Sequence, residues 1–178
     1  VLLNEGKQTV PLESDHCPTR LHPNADGAGY YRFSMDESWW QGLIADAGEL
    51  SPSEALVMAD SLDASFRAGV LDAKTYVAGL VALINHETWD VADAAMDHLE
   101  ALTAIFDPVE MESVEQALRK IVLPRYATLA DMSDTGSALL RQRMQRFLIV
   151  VAKDQEMRKP LEEQAAARIG LVGEPDLT

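Results

Sequence analysis

The spacing of hydrophobic positions changes near residue 36. Before it, apolar residues alternate or face each other across turns; after it, they recur every three or four residues. Leu2-Leu3 and Thr9-Val10-Pro11-Leu12 flank Asn4-Glu5-Gly6-Lys7, a pattern that predicts a hairpin with Gly6 supplying the positive φ of a short loop. Residues 18–26 are punctuated by Pro18, Pro23, Asn24 and Asp26, then Gly27, and predict a loop. A strand is expected over 28–35, with Tyr31, Phe33 and Met35 on one face and Tyr30, Arg32 and Ser34 on the other.

Helices follow. Ser51-Pro52-Ser53-Glu54 reads as a capping box with Pro at the first helical position, and the helix it opens runs to Gly69, a left-handed C-cap. Leu56, Ala59, Leu62, Asp63 and Phe66 mark its stripe. Asp72 caps a second helix carrying Tyr76, Leu80, Leu83 and Ile84, and a third runs from Trp89 to Phe106, ending before Asp107-Pro108. A fourth spans Val114 to Leu129, kinked at Pro124. Two more are marked by Leu139, Leu140, Met144, Phe147, Leu148 and Val151, and by Met157, Leu161, Ala165 and Ile169 before Gly170. Short connections make successive helices antiparallel neighbours. The expected fold class is mainly α: stacked antiparallel helix hairpins, an α-α superhelix of HEAT or armadillo type.

Composition narrows the function. The chain has 178 residues, 47% of them hydrophobic, enough for a packed core in one large or two small domains. A net charge of -14 argues against nucleic acid and anionic lipid as partners, because both need a basic field. No apolar run reaches the roughly 18–20 residues that span a bilayer, and no signal-peptide pattern opens the chain. A soluble protein is expected, with the cytoplasm the favoured compartment. Cys17 is the single cysteine, so it forms neither an intrachain disulfide nor a thiolate metal cluster. Starting at Val1 within an apolar run, the sequence reads as a piece excised from a longer protein.

Candidate chemistry is sparse. His86-Glu87-Thr88-Trp89-Asp90 approaches the zinc motif His-Glu-x-x-His, but Asp90 stands where the second imidazole belongs, and the run bridges the end of one helix and the start of another. Glu87 or Asp90 beside a helix N-terminus is the simpler reading. His16, next to Cys17, and His22 form no ligand spacing with each other or with His98. In Asn24-Ala25-Asp26-Gly27-Ala28-Gly29, Arg32 replaces the third glycine of a phosphate-binding loop, so a turn explains it. Arg141, Arg143, Arg146, Lys153, Arg158 and Lys159 concentrate positive charge, read as a solvated face paired with nearby carboxylates rather than an anion site. No Gly-x-Ser-x-Gly elbow is present. Trp39, Trp40 and Trp89 read as core or interdomain packing. No catalytic, cofactor-binding or metal residue is assigned.

Gly29-Tyr30-Tyr31-Arg32-Phe33 with Asp36, followed by Trp39 or Trp40 and a Leu, resembles the segment joining the β-sandwich domain to the C-terminal helical domain of large zinc aminopeptidases of the puromycin-sensitive and alanyl aminopeptidase type. Leu50-Ser51 and Phe66-Arg67-Ala68-Gly69 are similar to that family's next helix and its closing turn. Glu87-Thr88-Trp89 resembles its acidic, Trp-containing junction, and Pro124-Arg125-Tyr126 its Pro-x-Tyr helix, in the family's order across residues 1–169. The resemblance implies that 1–36 is a β-strand segment, a β-sandwich remnant, and that 37–178 begins the helical-repeat domain. It implies a parent that removes N-terminal residues from peptides with a zinc ion held upstream. His-Glu-x-x-His and Gly-x-Met-Glu-Asn are both absent here, so no catalytic or zinc-binding residue carries over and no cofactor is expected in this chain. The roles left are covering the catalytic chamber and contributing to peptide access and binding. The implied partners are the catalytic and β-sandwich domains of the same parent chain and the peptide substrate. Ending at Gly170-Leu171-Val172-Gly173-Glu174-Pro175, before the family's domain normally finishes, the chain is expected to expose a hydrophobic edge. Two other readings are an independent helical-repeat interaction module and a metal-dependent hydrolase using His86 and Glu87; an upstream reading frame lacking His-Glu-x-x-His separates the first from the aminopeptidase reading.

Overall fold

The computed structural model describes residues 21–170 continuously, with residues 6, 7, 9–11, 15, 16 and 18 before them. Seven α-helices occupy the described part: α1 Glu37–Ala45, α2 Pro52–Arg67, α3 Ala73–Ile84, α4 Trp89–Leu102, α5 Met111–Thr128, α6 Thr135–Val150 and α7 Gln155–Arg168. The chain is mainly α, in line with a helical-repeat domain.

Local chemistry sets these boundaries. The Ser51 side chain accepts from the Glu54 backbone N–H while the Glu54 carboxylate accepts from the Ser51 N–H, with Pro52 at the first helical position. Glu54 also accepts from the Asp26 N–H. Burial opposes the charge on this carboxyl, yet the hydrogen bonds from Asp26 and Ser51 outweigh it and hold the group below its ordinary range. At the far end Gly69 adopts φ +71, turning the chain toward α3. Asp72 accepts from Thr75 N–H, and Asp134 and Asp154 cap α6 and α7 the same way.

α2, α3 and α4 pack against one another, α1 lies on α3, and α6 joins α4 to α5 before α7 packs on α6. Gly79 lets α3 approach α2 closely: a Cβ there would stand 2.5 Å from the Leu62 side chain. One continuous core runs from Trp40 and Leu43 through Met58, Leu62, Leu80 and Leu83 to Met96, Leu99, Val122, Met144 and Phe147. Fully burying each Leu or Met of this set contributes about 1.5–3 kcal/mol.

Several expectations change. No β-strand occurs among the described residues, so a β-sandwich remnant is not seen in them; the expected hairpin falls largely outside the described residues. Residues 28–35 have no regular structure, because a strand requires a backbone neighbour and here the neighbours are side chains. Phe33 N–H donates to Ser61 Oγ at 3.2 Å, and the Ser65 hydroxyl donates to the Phe33 carbonyl at 3.4 Å. These contacts also rotate the buried face of α2. Ser61 and Ser65 are buried beside Ala55, Met58, Ala59 and Leu62, while Leu56, expected inside, is 37% exposed. The third helix ends at Leu102 and passes into a 3-10 turn, Thr103–Ile105; the fourth starts at Met111, three residues earlier than expected. α5 runs through Pro124, whose ring nitrogen has no hydrogen to give the Lys120 carbonyl.

Candidate functional site

His86 is 1% exposed. Its Nε2 lies 3.0 Å from the Leu50 carbonyl and its Nδ1 accepts from Thr88 N–H at 3.0 Å. A carbonyl only accepts, so Nε2 carries the proton and Nδ1 spends its lone pair on Thr88. No lone pair is left for a metal. Arg125 Nη2 donates to the His86 carbonyl, fixing the same junction from α5, while Glu87 and Asp90 are exposed. Zinc, the ion the resemblance implies for the parent protein, therefore does not fit the residues of this junction. Among the described residues no three His, Cys, Asp or Glu side chains converge on a common metal position.

The other histidines have structural partners. His22 Nε2 contacts the Glu54 carbonyl at 3.2 Å, and its ring meets Phe33 edge-on at 5.3 Å; Phe33 in turn stacks on Trp40 at 5.4 Å. His98 Nδ1 lies 3.5 Å from Asp63. His16 lies among the described residues and Cys17 does not. The Asn24–Gly29 turn is held by Asn24, 2% exposed, which accepts from Gly29 N–H at 2.7 Å and donates to the Gly29 carbonyl at 2.6 Å.

Of the basic residues, Arg143 is anchored by Asp93, Asp97 and Glu100 at 2.7, 2.6 and 3.2 Å. Lys153 pairs with Glu115 at 3.0 Å and Arg158 with Glu162 at 3.0 Å. Arg141 lies over the Tyr126 ring at 5.3 Å. Trp40 is fully buried, Trp39 half-buried, and Trp89 38% exposed.

A second polar network lies where α2, α3 and α4 meet, and sequence reading assigned Asp63 only to an apolar stripe. Asp63 accepts from Arg67 Nε at 2.7 Å and from the Tyr76 hydroxyl at 2.9 Å, with His98 on its other side. Phe66 stacks on Tyr76 at 4.5 Å, and with Leu102 and Ile105 they wall a groove of about 460 Å³. Burial alone would raise the Asp63 carboxyl, but the Arg67 and Tyr76 hydrogen bonds and the His98 and Arg67 charges hold it below its ordinary value. Burial first, then Asp63, pushes the Tyr76 hydroxyl well above its ordinary range. Asp63 Oδ2 accepts from Arg67 and Oδ1 from Tyr76, so the carboxylate ties α2 to α3 and serves as a structural acceptor. Spacing could have found this network: Asp63 and Arg67 are four residues apart on one helix.

Trp89 and Arg125 belong to motifs on which the resemblance rests: Trp89 opens α4, and Arg125 reaches from α5 to the His86 carbonyl at the α3–α4 junction. No described helix is long and apolar enough to cross a membrane. The family model of the ERAP1-like C-terminal domain matches residues 21–175. No solved structure matches the chain. The chain therefore belongs to the ERAP1-like C-terminal domain family and is a helical C-terminal part of an aminopeptidase-like protein.

Proposed function

We propose that this chain is the noncatalytic C-terminal segment of a zinc metallo-aminopeptidase, where it covers the catalytic chamber and contributes to peptide access and binding. The family match over 21–175 carries the reading. It is supported by a sequence without His-Glu-x-x-His or Gly-x-Met-Glu-Asn and by a His86 whose two ring nitrogens are already engaged. Zinc and the hydrolytic groups belong, in this reading, to the domain upstream, and the partners are that domain, the β-sandwich domain and the peptide.

The test is a paired assay of this chain and of the longer polypeptide that contains it. Aminoacyl reporter hydrolysis and one dialysis-resistant zinc are expected in the longer polypeptide and in neither case here. One tightly bound zinc in this chain, lost on His86→Ala, overturns the reading, as does an upstream sequence lacking His-Glu-x-x-His.

A further inference from the structure

We draw no further inference here: the strongest candidate, the groove of about 460 Å³ where α2, α3 and α4 meet, lined by Phe66, Arg67, Tyr76, His98, Leu102 and Ile105, restates as a peptide site an established property of the family, and nothing else in the structure shows what fills it.

Discussion

The centre of the helical stack and its last described helix are built differently. In α3, six of twelve residues are buried, in α5 only Leu118 and Val122 of eighteen, and in α7 none of fourteen. α3 is enclosed by α1, α2 and α4, whereas α7 lies on α6 with Leu161 46% and Ile169 69% exposed. A helix between several others is stabilised by burial; a terminal one relies on caps and its own propensity. The central region is thus expected to carry the cooperative stability of the domain, and the last helix to follow it.

The largest expected losses come from truncations in the enclosed core. Leu80→Ala should cost about 2–5 kcal/mol, because Leu80 is fully enclosed and the adjoining contact of Gly79 with Leu62 leaves α3 little room to shift. Phe33→Ala should cost about 3–5 kcal/mol, since the ring is 9% exposed and stacked on Trp40. Denaturant unfolding measures both. A loss below about 1 kcal/mol at Leu80 would mean the central helices are not the packed unit.

Next in size is the network at the α2–α3–α4 junction. Asp63→Ala leaves the buried Tyr76 hydroxyl without its acceptor and should cost about 1–3 kcal/mol. Its pH dependence has a definite sign. The folded Asp63 carboxyl is depressed, so its contribution is complete above the ordinary aspartate range and is lost as pH falls through that range to the folded value. Tyr76 behaves oppositely: its folded value is raised, so its contribution is complete below about 10, the ordinary tyrosine value, and disappears as pH rises through the folded value. Stability measured for the parent and for Asp63→Asn from neutral to acid pH should therefore converge. Curves that stay parallel would show that Asp63 does not hold its charge through these partners.

Smaller effects belong to the helix ends. Ser51→Ala removes one half of the capping box and should cost about 1 kcal/mol. Gly69→Val meets nothing within 4 Å, so its cost, about 1–2 kcal/mol, should come from forcing a β-branched residue to φ +71. Thermal unfolding checks both, and Gly69→Asn, which tolerates the left-handed region better, should recover part of the loss.

These helix ends were the most legible part of the chain. Ser51, Glu54, Gly69 and Asp72 act on backbone groups three or four residues away, so sequence alone specifies their partners. The failures share the opposite property. The face of α2 depends on Phe33, 28 and 32 residues distant from the serines that hold it, and no helical period announces that Ser61 and Ser65 will be interior. Residues 28–35 carry a strand's alternation, yet strand formation is a property of two segments, and among the described residues no second strand pairs with them. The family reading needed no such partner, because its residues, from Gly29 to Tyr126, are recognised by order along the chain. The Asp63 network stayed hidden for the same reason as the serines: Tyr76 and His98 reach it from two other helices.

The smallest expected effect is also the sharpest probe of the comparison. α7 is secured at its start, where Asp154, 8% exposed, donates its N–H to the Leu148 carbonyl at 2.8 Å and caps the Met157 N–H at 3.1 Å. Past that turn Pro160 supplies no N–H to the Glu156 carbonyl, and the residues that follow bury no side chain. Leu161→Ala should therefore cost less than about 0.5 kcal/mol, because Ala is the better helix former and little apolar contact is lost. Asp154→Ala, at the anchored end, should cost about 1 kcal/mol. Amide exchange should likewise be slowest in α3 and fastest in α7 beyond Pro160. If Leu161→Ala instead costs as much as Leu80→Ala, the outer face of α7 is covered in solution, and the stack does not end with this helix.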